Sequence, residues 1–352
     1  MSAVLFLDTA SQQPYDTDTL GERALGGSEA TLVRVADALG AWVMQGARQS
    51  AHGRYLPVQA LAGIRHVIVN REPSALELAR TLFPQARAYL WVHDRLRPGG
   101  KRARGWAASA ALLREPLAGV VCVSDWQRAG VAATLAGLGV SARALTIYNP
   151  IDERLAPDST ATDERKLVFF SSPNKGLDFT LDAFAALRRL LPDQRLVIAN
   201  PGYRRAAAPA APGVQYLGAL PQARVHAEVR SALCTFFPNF TIPETFGLVF
   251  AESHALGTPV LTLDCGAARE VLGDTQEVLP LPGSYRRYEA LAGVLPRALR
   301  APLARLAAQA GLFDALSERV REWRRGARPQ VAADERFRLS AVVPRWRALL
   351  QE

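Results

Sequence analysis

Two glutamates, Glu244 and Glu252, stand eight residues apart in the stretch 237–263, FPNFTIPETFGLVFAESHALGTPVLTL. The apolar run Thr235–Phe237 reads as a strand, and a turn containing Asn239 and Pro243 leads from it to Glu244. The following pattern predicts a short helix over about 246–256, stopped by Gly257 and followed by Pro259 and another strand. At 1.5 Å of rise per residue the two carboxylates would lie roughly 12 Å apart. That is too far for a carboxylate pair working on one bond, which in retaining glycosidases spans about 5 Å. It suits two groups gripping opposite ends of an extended ligand, with a helix N-terminus turned toward phosphates between them.

A second candidate is Lys175, in Ser171-Ser172-Pro173-Asn174-Lys175-Gly176-Leu177-Asp178, directly after an apolar strand. Only three of the 42 basic residues are lysines, so a lysine opening a helix is less easily a product of composition; a solvated helix-start lysine is the plainer alternative. In the first half, Gly26-Gly27 lacks Cβ atoms and would let backbone approach a hydroxyl or a phosphate closely. A simple tight turn is equally compatible. His93, in Trp91-Val92-His93-Asp94, falls at a predicted strand end, with a capping or packing role as the alternative.

These residues need a scaffold, and the hydrophobic pattern supplies one. Strands are predicted at Val4–Leu7, His66–Val69, Tyr89–Val92, Val120–Val123 and Leu145–Tyr148, with weaker ones at Trp42–Met44 and Tyr55–Leu61. Leu32, Val35, Ala36 and Leu39 mark a helix that Ser28 would cap and Gly40 would stop. After Asn149-Pro150, the polar run 152–165 reads as a linker. The alternation then restarts, with strands at Leu167–Phe170, Leu196–Ala199, Val214–Leu217, Thr235–Phe237 and Val260–Leu263 and a helix over about 177–191. Residues 289–326 read as helical and a last helix is expected over about 335–350. Such alternation predicts an α/β protein with two parallel sheets, ligands lying beyond the strand C-termini in the cleft between them.

The segment 237–263 resembles the donor-binding signature of retaining glycosyltransferase family 4 (glycosyl transferases group 1), enzymes of the GT-B fold with two Rossmann-like domains facing across a cleft. Glu244, Glu252 and Gly257-Thr258-Pro259-Val260 match its Glu-x7-Glu, helix and strand start. The resemblance implies that Glu244 contacts the donor sugar and Glu252 the ribose hydroxyls, with Ser171, Thr245, Phe246, Gly247 and Leu248 also lining the donor. It implies further that Lys175 neutralises the diphosphate, that Gly26 and Gly27 form the acceptor or phosphate loop, and that His93 acts near the reacting carbon. One position departs from the pattern. The family carries an Arg five residues before the Lys, where this chain has Phe170; Arg204 or Arg205 is a candidate replacement. The resemblance places an acceptor domain at 1–155, with the helix 335–352 packing back on it, and a nucleotide-sugar donor domain at 156–334.

The expected reaction is metal-independent, retaining transfer of a hexosyl group from a nucleotide diphosphate sugar to a glycan or lipid-linked acceptor. Synthesis of cell-surface polysaccharide, lipopolysaccharide or glycolipid is its expected setting. A catalytically silent nucleotide-sugar-binding protein and a GT-B nucleotide-sugar epimerase are the alternatives. No cofactor is expected. The 352 residues, 49% of them hydrophobic, with mean hydropathy +0.01, exclude a disordered or fibrous chain. The first residues read as a strand and no apolar stretch is long enough to span a bilayer, so a cytoplasmic protein is expected. The cysteines Cys122, Cys234 and Cys265 have no metal spacing. A net charge of +9 favours anionic partners. Nucleic acid is not expected among them, because the charges are mixed along the chain and no nucleic-acid-binding motif appears. The cluster Arg95, Arg97, Lys101, Arg102 and Arg104, with Leu96 and Trp106 nearby, would suit peripheral docking on an anionic inner membrane face; a solvated loop is the alternative.

Overall fold

The computed structural model describes residues 3–351 except 24, 98–99, 201–210, 241, 274, 292–294, 297, 300–301, 304–305 and 308–310. The chain divides into two compact units, residues 1–154 with 335–352, and residues 155–334.

In the first unit the strands are β1 (Val4–Asp8), β2 (Trp42–Gln45), β3 (Tyr55–Pro57), β4 (His66–Asn70), β5 (Arg87–Val92), β6 (Gly119–Cys122) and β7 (Ala144–Thr146). They form one sheet in the order β3-β2-β1-β4-β5-β6-β7, with every pairing parallel. Alternate residues face opposite sides. Leu5, Leu7, Val67, Val69, Leu90 and Val92 enter one large core cluster. On the other face, Phe6, Trp91 and Trp346 meet with ring centroids 4.8–5.8 Å apart. Trp346 lies on the helix Leu339–Gln351, so the last helix completes the core that the first strand begins. Ile151 N–H donates to Phe337 O at 2.8 Å and pins the returning segment.

In the second unit the strands are β8 (Asp163–Phe170), β9 (Arg195–Asn200), β10 (Val214–Ala219), β11 (Ala232–Phe237), β12 (Val260–Leu263) and β13 (Val278–Leu279). Their order is β10-β9-β8-β11-β12-β13, again with every pairing parallel. Both sheets therefore reverse their winding at one place, between β1 and β4 and between β8 and β11. In doubly wound sheets, ligands bind outside the strand C-termini at such a reversal.

Several expectations shift in detail. β8 takes Asp163–Arg165 from the polar run read as linker; these first residues of the strand stay half-buried or exposed, and the apolar part that follows is buried. The strand expected over Tyr55–Leu61 ends at Pro57, which has no N–H to continue a ladder. The helix Gly27–Leu39 is capped by Gly26; Ser28 lies inside it and donates its hydroxyl to Glu29 Oε2 at 3.0 Å. The proposed charge donors Arg204 and Arg205 lie outside the described residues, as does part of the helical region 289–326.

Candidate functional site

At the reversal point of the second unit, β8 delivers the loop Ser171–Gly176 and β11 delivers residues 238–247. Lys175 N–H donates to Ser172 O at 2.9 Å, which tightens the first loop into a turn before the helix Leu177–Leu190. Asn239 shapes the second loop: its Nδ2 donates to Ile242 O at 2.6 Å. These two loops bring Lys175 and Glu244 together. The Lys175 ammonium lies 2.9 Å from Glu244 Oε2 and 2.8 Å from Oε1. Glu244 is 8% exposed, whereas the Lys175 side chain keeps 30% of its surface in solvent. The carboxylate is thus the fixed partner and the ammonium the reachable one.

Backbone contacts fix Glu244 as firmly as the ion pair does. Its carbonyl accepts from Ala267 N–H at 2.9 Å, and it forms an isolated bridge with Gly266. Gly266 has φ +74°, and a Cβ there would lie 2.3 Å from the Glu244 carbonyl oxygen. Only glycine permits that approach. Gly247 caps the next helix at φ +91°, so the helix runs Leu248–Ala255 and not from Phe246. Half of the eight-residue separation between the glutamates is consequently non-helical, and helical rise alone does not set their distance. Phe246 is buried at 1% exposure, Ser171 at 6%, and Thr245 and Leu248 are half-buried.

Glu252 is 6% exposed on that helix. Its Oε1 accepts a hydrogen bond from Gln222 Nε2 at 2.9 Å, and His226 Nε2 lies 3.9 Å from Oε2. Neither Gln222 nor His226 had been singled out, because both sit in an unremarkable helix, Gln222–Arg230. The fold alone turns them toward Glu252.

The reversal point of the first unit carries a different constellation. Gly26 and Gly27 open the helix Gly27–Leu39, and the Glu29 carboxylate folds back over Gly26. Arg71 follows β4 and is the one non-glycine residue with positive φ (67°) among the described residues. Its Nε and Nη2 donate to Asp94 at 3.1 and 3.3 Å, its Nη1 to Ser28 Oγ at 3.4 Å, and Nη1 stands 3.7 Å from Glu29 Oε1. Burial works against the Asp94 charge, but Arg71 and then Arg102 outweigh it and hold the carboxyl below its ordinary range. Burial likewise opposes the Arg71 charge, and Asp94, Glu29 and Asp8 more than compensate.

His93, 9% exposed, packs 4.6 Å from the Trp91 ring. Burial, reinforced by Arg71, pushes its imidazole down to about 3, so it is neutral at pH 7. Arg71 was not among the residues singled out from the sequence; the available signal was the polar Arg71-Glu72 pair directly after β4.

Of the basic cluster, Leu96 and Trp106 are buried. Arg102 pairs with Glu72 and, at 3.2 Å, with Asp94. The Arg95 guanidinium stacks 5.6 Å from the Trp126 ring. The apolar members are therefore built into the unit, leaving charge alone to meet a membrane. Among the described residues no helix is long and apolar enough to cross one. Cys122 and Cys234 are free and buried, and burial pushes the Cys122 thiol up to about 12.

Two all-parallel Rossmann-like sheets, each with its candidate residues at the winding reversal, define the GT-B class. The solved structures agree. Anabaena HepE in complex with UDP-glucose superposes with a TM-score of 0.64 over 99% of both chains at 16% identity. A sucrose-phosphate synthase from Thermosynechococcus elongatus gives 0.59 at 15% identity, over 99% of this chain and 98% of that one. Residues 153–305 match the family described as Glycosyl transferases group 1, and through that stretch the chain is similar to that family. Curated relatives include phosphatidyl-myo-inositol mannosyltransferases. That of Mycobacterium leprae is 32% identical over 132 residues, covering 36% of this chain and 35% of that protein. That of Mycolicibacterium smegmatis is 30% identical over 199 residues, covering 51% and 49%. The chain spans at most about half the length of these relatives.

Proposed function

We propose that this protein is a retaining, metal-independent hexosyltransferase that uses a nucleotide diphosphate sugar as donor and an acceptor hydroxyl on a glycan or lipid-linked saccharide. The observation that carries this reading is the Lys175–Glu244 pair at the β8/β11 reversal point, with a second buried carboxylate, Glu252, one helix further on. In this reading Lys175 and the N–H groups opening the Leu248–Ala255 helix meet the diphosphate. Glu244 holds the sugar and Glu252 the ribose. The bond from the anomeric carbon to phosphate oxygen breaks, and the acceptor oxygen bonds to the same face of that carbon. The acceptor proton passes to the departing phosphate. Positioning and charge stabilisation carry such a step, so no protein nucleophile enters.

Neutral His93 fits a role as a hydrogen-bonding group in this chemistry rather than as a cation. The relatives named for mannosyl transfer to phosphatidyl-myo-inositol, and the UDP-glucose held by the Anabaena structure, support a sugar nucleotide as donor.

Thermal-shift screening of UDP-, GDP-, ADP- and CDP-sugars identifies the donor, since a bound ligand stabilises the fold by an amount that rises with the logarithm of its concentration over Kd. With that donor, Glu252→Ala is expected to weaken donor binding while Glu244→Ala lowers turnover. The product anomer, assigned by NMR, tests retention, and turnover in excess EDTA tests metal independence. Unchanged kinetics in both variants would overturn the assignment.

A further inference from the structure

The helix that carries Glu252 is locked on every side except that of the carboxylate itself. Ser253 Oγ lies 2.7 Å from Thr235 Oγ on β11 and donates to Val249 O at 2.7 Å. His254 Nε2 lies 2.8 Å from Glu277 Oε1, and Glu277 in turn accepts from Val260 N–H at 2.5 Å on β12. Glu277 is 1% exposed, so this contact is part of the core. With the backbone fixed between β11 and β12, the direction in which Glu252 points depends on its side-chain torsions alone.

Two side chains that face the carboxylate, Gln222 and His226, lie on the neighbouring helix Gln222–Arg230. A carboxylate offers its oxygens as acceptors, so the Gln222 amide must face it with its NH2 group, as the 2.9 Å contact to Oε1 has it. One helical turn on, His226 is 8% exposed and its Nε2 stands 3.9 Å from Oε2, outside hydrogen-bond reach but close enough to wall off that side. Gln222 fixes one oxygen by a bond, and the His226 ring limits the swing of the other.

We infer that Gln222 and His226 are positioning residues that aim the Glu252 carboxylate at a vicinal diol, and that they set the preference for a ribonucleotide over a nucleotide lacking the 2′ and 3′ hydroxyls. This rests on the reading of Glu252 as the ribose-binding group. It adds that the selectivity resides in the helix Gln222–Arg230, which does not itself touch the nucleotide in this scheme. The chemical reason is that a carboxylate accepts both hydroxyls of a diol only when its plane is turned so that each oxygen faces one of them. A freely turning side chain loses that geometry before it loses its charge.

The test uses the full chain and isothermal titration with UDP, GDP, ADP and CDP, followed by the 2′,3′-dideoxy form of whichever binds tightest. The unaltered protein is expected to bind the ribonucleotide at least tenfold more tightly than its dideoxy form. Gln222→Leu, which keeps the volume and removes the donor, is expected to weaken ribonucleotide binding roughly tenfold, the scale of one lost hydrogen bond to a charged group, and to leave dideoxy binding unchanged. His226→Ala is expected to do the same to a smaller extent, and His226→Phe, which retains the ring, to restore the ratio.

Unchanged dideoxy binding also shows that each variant is folded. A Gln222→Leu protein that weakens on both nucleotides alike, or that keeps the full ribose preference, would overturn the inference while leaving the Glu252 assignment standing. Equal binding of both forms by the unaltered protein, or binding of none, would instead overturn that assignment and the inference with it.

Discussion

The two units reverse their winding in the same way and populate the reversal point in opposite ways. Between β1 and β4 a cation, Arg71, is surrounded by Asp94, Ser28 and Glu29 and held with φ at 67°. Between β8 and β11 a cation, Lys175, is paired with Glu244 and keeps 30% of its side chain in solvent. Positive φ on a bulky residue persists only where the surroundings over-determine it. Arg71 is thus a piece of architecture that orients the Gly26-Gly27 loop and the His93-Asp94 strand end. In the function proposed above, Lys175 would trade a carboxylate oxygen for a phosphate oxygen, the same hydrogen-bond acceptor in another molecule.

That contrast can be broken most sharply at Lys175. Lys175→Met is expected to lower kcat by about 10²–10³-fold, as for loss of one positioned charge-stabilising donor, with an unchanged urea midpoint. A large stability loss with normal turnover would make Lys175 the structural cation after all. Next in size is Gly266→Ala, which forces a Cβ to within 2.3 Å of the Glu244 carbonyl at a positive φ. It is expected to cost about 2–4 kcal/mol by urea denaturation and to reduce turnover as Glu244 shifts. Turnover retained in a folded Gly266→Ala protein would show that Glu244 does not need this anchor.

His93 sharpens the first-unit side of the comparison. The buried imidazole stays neutral in the fold down to about 3, whereas in the unfolded chain it takes up a proton below about 6.5. The unfolded state therefore binds more protons in that window, and stability is lost as pH falls through it, by roughly 2 kcal/mol at pH 5. Urea midpoints from pH 7 to pH 5 should show this slope, and His93→Gln should flatten it. An unchanged slope in that variant would mean that His93 titrates normally. The smallest expected effect is Arg71→Met, about 1–2 kcal/mol by urea denaturation, because its partners Asp94 and Glu29 are partly solvated. Nucleotide binding should be unaffected; a loss there would give Arg71 the ligand-facing role assigned to Lys175.

Much of this was legible before the fold was known. Strand runs such as Leu167–Phe170 and Val260–Leu263 are continuous and apolar because both faces of a parallel sheet are covered, and such runs stand out in a sequence. Glu244 and Lys175 stand out because each adjoins punctuation, Pro243 and Gly176, and Glu252 because its helix is stopped five residues later by Gly257. What escaped was long-range. The Lys175–Glu244 contact joins residues 69 apart, and Gln222 reaches Glu252 across 30. No local spacing encodes either. The two-residue strand β13 has too few residues to show a period, and the Ser28 cap failed because a Gly-Gly pair lets the helix start two residues earlier than the first side-chain acceptor would place it.

The return of the chain after residue 334 makes the first unit discontinuous. Phe6 and Trp91 both lie in the first piece of that unit, yet the indole that covers them, Trp346, follows the entire second unit. A fragment ending at residue 154 would therefore present an aromatic hole on its sheet. The first unit can become a finished body only once everything encoded between its two pieces has been made.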